Sequence, residues 1–335
     1  EKTMPRKIET LILLALPASG KSEVRKFFAS MDPEARLNDF GIGPTLDLDD
    51  YPYVHLMRRV DEVLMDQMEY PMFYMGKDRP FQDPITWNVL IELLNEDYRQ
   101  LRTGSPYDLP KLVDKRVLWL FFRMTVARRR LGMHADHLKR RLVSELERGL
   151  GDEFQKHFDA LNAVITADKE GATVVMEFAR GGPHGSPFPI IPPRGYASAL
   201  QTLAPEILER ACILYVMVTP EQARKKNIER GRPSEQGSIL FHSVPAEVML
   251  ADYGCDDIEW MLGKSLKSNT IRVERVVQEG DRYMTKVYRV PVAVFDNRND
   301  LTSFVREPQE NWPIESIRAL HDDLASAMAP LIATP

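Results

Sequence analysis

Short continuous apolar runs and longer amphipathic stretches alternate along most of the chain. The first run, Ile8-Glu9-Thr10-Leu11-Ile12-Leu13-Leu14-Ala15-Leu16, is nearly unbroken and stops at Pro17, the pattern of a strand buried on both faces. A turn of small residues follows, and Glu23-Val24-Arg25-Lys26-Phe27-Phe28 has helical spacing. Thr45-Leu46-Asp47-Leu48 predicts a short strand ending at Asp49-Asp50, and residues 53–68 predict an amphipathic helix. Strand, small-residue turn and helix in that order open a doubly wound α/β sheet.

Residues 71–170 break the alternation. A loop carrying Pro71, Pro80 and Pro84 leads into three expected helices, over 85–102, 110–131 and 134–166. Leu112, Val113, Arg116, Val117, Leu120 and Met124 recur at helical spacing in the second, and Gly149 and Gly151 are expected to bend or break the third. Alternation then resumes. Strands are predicted at 172–178 and 211–218, and helices at 196–210 and from Thr219-Pro220-Glu221 to about Gly231, this last with a hydroxyl cap and proline in its first turn. Residues 270–277 and 282–290 flank Glu279-Gly280-Asp281 as a hairpin, Val292–Asp296 reads as a fifth buried strand, and residues 314–331 as a closing helix. The expected organisation is a core over 1–70 and 171–335 with a lid near 232–268, and a helical insertion over 71–170.

Composition narrows the classes. The 335 residues are 44% hydrophobic and 28% charged, globular values that exclude a disordered tail or a fibrous repeat. The formal net charge of −5 argues against coating nucleic acid by bulk charge. Arg128-Arg129-Arg130 and Lys139-Arg140-Arg141 keep a polynucleotide acceptor open, but with Glu145 and Glu147 nearby they read more simply as solvated helix faces. Two cysteines, Cys212 and Cys255, are too few for a disulfide framework or a four-cysteine zinc site. No apolar run is long enough to span a membrane, and the first is too short for a secretory signal, so a cytoplasmic protein is expected. Oligomeric state is not readable.

The string Ala15-Leu16-Pro17-Ala18-Ser19-Gly20-Lys21-Ser22 carries the most chemistry. Small residues let main-chain N–H groups turn inward around an anion, a lysine reaches β- and γ-phosphates, and a hydroxyl holds Mg²⁺. The following helix adds its positive N-terminal end. Against the pattern Gly-x-x-x-x-Gly-Lys-Ser/Thr, one position departs: Ala15 stands where the first glycine belongs. The residues read as nucleotide-binding are Pro17, Ala18, Ser19, Gly20, Lys21, Ser22 and Glu23.

On this string and its strand–helix setting, the chain resembles the P-loop kinases, the superfamily of nucleoside monophosphate, shikimate, gluconate and polynucleotide kinases. The resemblance covers roughly 8–70 and 171–331. It implies a kinase-type parallel sheet of about five strands, ATP and Mg²⁺ as cofactors, and an acceptor bound across the site. Leu48-Asp49-Asp50-Tyr51 is similar to the Asp-Asp-Tyr of polynucleotide-kinase-like and zeta-toxin-like members, which implies Asp50 or Asp49 as the base; a helix cap is the competing role. Val174-Val175-Met176-Glu177-Phe178 resembles the Walker-B strand, which implies Glu177 near the metal through water, while Arg180 would hold the phosphoryl group or pair with Glu177. The family's lid implies arginines over the phosphates, here Arg224, Arg230 and Arg232, with Arg230 and Arg232 preferred. Asn297 falls where the family's last turn nears the adenine, or it serves the turn itself. His242, Asp252, Asp256 and Asp257 form no metal pattern.

The expected activity is transfer of the γ-phosphate of Mg-ATP to an unidentified hydroxyl or phosphate acceptor. An ATPase or nucleotide switch, and a nucleotide-binding protein without catalysis, are the alternatives; Ala15 and Glu177 favour the last.

Overall fold

The computed structural model describes residues 6–134, 140–231 and 243–333. In chain order its elements are β1 (Thr10–Leu14), α1 (Lys21–Ser30), α2 (Pro33–Phe40), β2 (Thr45–Asp49), α3 (Tyr51–Asp66), α4 (Thr86–Thr103), α5 (Lys115–Arg130) and α6 (Arg140–Thr166). They continue with β3 (Thr173–Phe178), α7 (Gly195–Thr202), α8 (Pro205–Leu208), β4 (Ala211–Met217), α9 (Pro220–Arg230), α10 (Ala246–Ala251), α11 (Ile258–Lys264), β5 (Thr270–Glu279), β6 (Arg282–Asp296) and α12 (Ile314–Ile332).

The strands form one six-stranded sheet in the order β2-β3-β1-β4-β6-β5. β1 lies parallel between β3 and β4, with Leu13 beside Glu177 and Leu214. β1 and β3 are buried at every position, which is why their sequences are continuous apolar runs rather than alternating ones. β2, at the edge, alternates.

Two apolar layers enclose the sheet. Leu11, Leu13, Val175 and Leu214 meet Val24, Phe27 and Phe28 of α1 and Leu320, Leu324 and Met328 of α12. On the other face Ile12, Leu14, Leu48 and Met176 share a core with α3, α4 and α7. Each such side chain contributes about 1.5–3 kcal/mol on burial, before chain entropy is subtracted. Residues 71–170 therefore supply a layer of the same core: Tyr98 of α4 even bonds its hydroxyl to Thr10 Oγ1 of β1, at 3.1 Å.

Connections out of β1 and β3 diverge. α1, after β1, packs on one face, while α7, after β3, packs on the other. Two neighbouring parallel strands whose exits part in this way leave a crevice at their carboxyl ends.

Several boundaries differ from expectation. The hairpin and the fifth strand are one element, because β6 continues through Pro291, pairing with β5 up to that residue and with β4 from Val292 onward. A proline is tolerated where the pairing changes partner. The sheet thus has six strands, not five. α5 starts only at Lys115, after Asp114 in the left-handed region, leaving Leu112 and Val113 exposed before it. α6 runs unbroken through Gly149 and Gly151; a Cβ on Gly151 would lie 2.3 Å from Arg116 Nη2, so this glycine makes room for a side chain. The helix expected over 196–210 is two, since Ala204 is extended ahead of Pro205. The start of α9 is as expected, with Thr219 and Gln222 in a reciprocal capping box.

Candidate functional site

The turn after β1 curls because two residues, Ala18 at φ 64° and Gly20 at φ 102°, adopt left-handed backbone. Only glycine fits the second position. Beyond its φ, a Cβ there would lie 2.4 Å from Thr302 Oγ1 and 2.6 Å from Asn297 Nδ2. Gly20 caps α1 and so offers no side-chain acceptor to the first amides of that helix. Ser19 Oγ is buried and also lacks a partner. Backbone curl and uncapped amides together suit an anion.

Asn297 lies beneath this turn rather than at its rim. Its side chain is fully buried, donating from Nδ2 to Ser19 O and to Thr302 Oγ1, both at 2.8 Å, and accepting from Leu301 N at 2.8 Å. With the amide group so engaged, it buttresses the turn and has no atom left for a base.

Carboxylates and cations interleave at the ends of β2 and β3. Lys21 Nζ sits 3.3 Å from Glu177 Oε1, and Arg25 Nη1 sits 2.9 Å from Glu177 Oε2 and 3.7 Å from Asp49 Oδ2. Asp49 Oδ1 accepts from Tyr51 N at 2.8 Å, so it takes the capping role, whereas Asp50 makes no side-chain cap bond to α3. Asp50 Oδ2 instead accepts from Arg180 Nη1 at 2.7 Å. Asp50 Oδ1 has no partner among the described residues. Burial raises the Asp50 carboxyl above its ordinary range, against the pull of Arg180.

Arg180 does not reach forward to a phosphoryl group, nor does it pair with Glu177. Its side chain is 2% exposed, donates to Asp50, Ala179 O and Trp87 O, and lies over the Trp87 ring at 4.9 Å. A buried guanidinium needs a carboxylate and acceptors, and Asp50 supplies the only charge it touches among the described residues.

Glu23 is likewise turned inward. It is fully buried, with Arg230 Nη2 and Arg306 Nε both 2.8 Å from its Oε1. Burial opposes its ionisation, but the two arginines win and lower it below the usual carboxylate range. Glu23 thereby holds Arg230 at the cavity wall instead of contacting a nucleotide. Arg224 pairs with Glu221 at 3.2 Å and does not line the cavity. Arg232, Lys139 and His242 lie outside the described residues.

The cavity itself is about 370 Å³, and it joins most of these groups. Pro17, Ala18, Lys21 and Ser22 of the turn line it together with Asp49, Asp50, Glu177 and Arg230, whereas Ser19 and Gly20 do not. Three further contributors, Tyr51 of the Asp-Asp-Tyr string apart, carry no motif. Asn227 of α9 clamps Val244 by bonds to its O (2.7 Å) and N (2.8 Å). Tyr253 is brought in because Gly181 and Gly254 let two loops touch, with Gly182 N bonding Cys255 O at 2.9 Å. Tyr51, Val54, His55 and Arg58 share one face of α3 at helical spacing, a signal readable in the sequence once the helix start is known. Phe81 and Trp87 also line the cavity, while Tyr98 does not.

Elsewhere the remaining acids have structural partners. Asp257 accepts from the amides of Tyr196 (2.6 Å) and Ala197 (3.1 Å) at the start of α7, and Asp256 from the Tyr215 hydroxyl at 2.9 Å. Asp252 pairs with Arg194 at 3.3 Å. Arg141 pairs with Glu69, and Arg130 stands 3.9 Å from Glu92. Among the described residues no group of three or more His, Cys, Asp or Glu could hold a metal, and no helix is long and apolar enough to cross a membrane.

Asp49 gives a pH prediction. Burial, then the negative charges of Glu177 and Asp50, raise its carboxyl to about 7 from an ordinary 3.8. Between those values the folded chain keeps a proton that the unfolded chain has released. The stability Asp49 contributes is therefore present below about pH 4 and lost as pH rises through about 7. Asp49→Asn should flatten that slope, so its melting temperature should gain on the wild type steadily from pH 4.5 to 7.5 (values chosen to bracket the window). A constant difference across the series would show that Asp49 is ionised throughout.

No family model matches the chain, and no curated protein matches it. Among solved structures, the bacterial conjugative coupling protein TrwB, in its unbound monoclinic form, aligns over 87% of this chain and 82% of that one, at 12% identity and a TM-score of 0.14. At that score the likeness has no bearing on fold or activity.

Proposed function

We propose that the chain is an ATP-dependent phosphotransferase of the P-loop kinase type, acting on the hydroxyl of a small acceptor. One observation carries the reading. A single cavity is lined both by the curled turn with its lysine and by a carboxylate with an unengaged oxygen, Asp50.

The residues fit the cofactor. The amides at the start of α1 and Lys21 would hold the triphosphate, with Ser22 and, through water, Glu177 near the metal. Mg²⁺ keeps its waters and takes one or two protein ligands beside the phosphates, which Ser22 and Glu177 could supply. Mg-ATP, when bound, supplies the transferred phosphoryl group. Asp50 Oδ1 accepts the acceptor's proton while the oxygen of that hydroxyl forms its bond to phosphorus and the bond to the ADP oxygen breaks. Arg180 keeps Asp50 in one orientation, and Lys21 and Arg230 offset charge gathering on the phosphoryl oxygens.

The test is a screen with γ-labelled ATP over nucleosides, nucleotides, sugars and 5′-hydroxyl oligonucleotides, with label expected in one acceptor class and not in the oligonucleotides. ATP hydrolysis indifferent to every acceptor would replace the kinase reading with an ATPase. Triphosphate binding with neither transfer nor hydrolysis would leave a non-catalytic binder.

A further inference from the structure

Beyond the base, the cavity lining has a guanidinium with no hydrogen-bonded or ion-pair partner among the described residues, the Asp61 carboxylate acting on it only at a distance. Most ionised groups of the lining are matched: Asp50 by Arg180, Glu177 by Lys21 and Arg25, Asp252 by Arg194, Arg230 by Glu23. Arg58 is different. Its guanidinium lies 4.1 Å above the centre of the Tyr74 ring, and among the described residues it makes no hydrogen bond or ion pair. Asp61, one turn further along α3, is not available to it as an acceptor. The Asp61 carboxylate oxygens are taken up by the amides of Met72, Phe73 and Tyr74. Asp78, the other unmatched charge of the lining, does not come within ion-pair distance of Arg58.

A guanidinium fixed over a ring, with its in-plane N–H donors unused, matches the geometry of a carboxylate or phosphate. The space between it and the base is flat-walled and apolar: Tyr74 stacks on Phe81 at 4.5 Å, and Trp87 stands edge-on to both Phe81 and Tyr253. α3 itself sets the spacing. Asp50 immediately precedes the helix and Arg58 lies two turns along the same cavity-facing stripe, a rise of about 12 Å at 1.5 Å per residue. Side chains on a helix lean back toward its start, which brings the guanidinium to roughly 8–10 Å from the base.

We infer that Arg58 is the anion-binding residue of an acceptor subsite, selecting a small hydroxylic compound with a planar or apolar body and an anionic group at the end remote from its reacting hydroxyl. This rests on the phosphotransferase reading only in calling the ligand an acceptor. The binding itself requires no transfer.

Calorimetry and ligand-observed NMR on the full chain test it with two matched pairs: 3-(4-hydroxyphenyl)propanoate against its carboxamide, and adenosine 3′-phosphate against adenosine. At least one acid should bind at least about tenfold more tightly than its neutral partner, the scale of one charge-assisted contact. Arg58→Gln should erase that preference and Arg58→Lys should keep part of it, with unchanged melting temperatures showing that the fold survives. Equal binding within both pairs, binding of none of the four compounds, or a preference that persists in Arg58→Gln would each overturn the inference. The same measurements on Lys21→Ala, with Mg-ATP titrated separately, keep this result apart from the kinase reading: acid selectivity that survives without triphosphate affinity leaves Arg58 standing and removes the kinase.

Discussion

Lys21→Ala should abolish phosphoryl transfer while leaving the fold intact. The ammonium is the only cation carried by the curled turn itself, and it rests 3.3 Å from Glu177. Truncation would not strand that carboxylate, because Arg25 remains 2.9 Å from its other oxygen. Both side chains are largely buried, so the cost in stability should be about 1–3 kcal/mol, held to that range by the second cation on Glu177. Activity has no such substitute. Loss of one preorganised positive donor at the transferring group typically costs a factor of about a hundred to a thousand, and weakened triphosphate affinity adds to it. Label transfer, nucleotide calorimetry and thermal unfolding measured on one preparation check the three statements together. Retention of even a tenth of wild-type transfer (about one order of magnitude, well short of that range) would mean that the lysine does not act on the phosphates.

Asp50→Asn is expected to separate binding from turnover. The amide oxygen can still accept from Arg180 Nη1, so the loop geometry should hold, but a neutral side chain cannot take up a proton. Transfer should fall about 10²- to 10⁴-fold, with Mg-ATP affinity nearly unchanged. Stability should drop as well, by about 1–3 kcal/mol, since the buried guanidinium loses the one carboxylate it touches among the described residues and keeps a hydrogen bond. Arg180→Met serves as the comparison. It frees Asp50 to rotate without removing its basicity, so its activity should fall less than that of Asp50→Asn although its fold is also weakened. Equal transfer by wild type and Asp50→Asn would shift the proton to another group, Asp49 being the nearest.

Much of this layout could be read from residue order alone. Buried parallel strands write themselves as uninterrupted apolar runs, and the Pro17–Ser22 turn sits between such a run and a helix, so β1, β3, β4 and the lysine were legible. What the linear pattern could not supply is pairing at a distance. Arg180 looks forward in the sequence, three residues past Glu177, yet its partner is Asp50, 130 positions earlier. Glu23 reads as one more residue of the nucleotide turn until Arg230 and Arg306 arrive on either side of it. Arg58 and Tyr253 follow no motif, and reach the cavity through the direction of α3 and through two glycines that let backbones touch. The hairpin was legible too, but the break expected after it was not found: Pro291 argues for an interruption locally, and only the exchange of neighbours along β6 explains why none occurs.

Asn297 and Thr302 bear on the order in which this polypeptide becomes competent. They brace Ser19 and crowd Gly20 from nearly three hundred positions downstream. During synthesis, then, the lysine emerges long before its brace. A nascent chain carries an unbraced bend until β6 and the turn after it have emerged, and ligand capture becomes available only once they dock. Premature stop codons upstream of that strand should yield products that retain the motif and lack its grip.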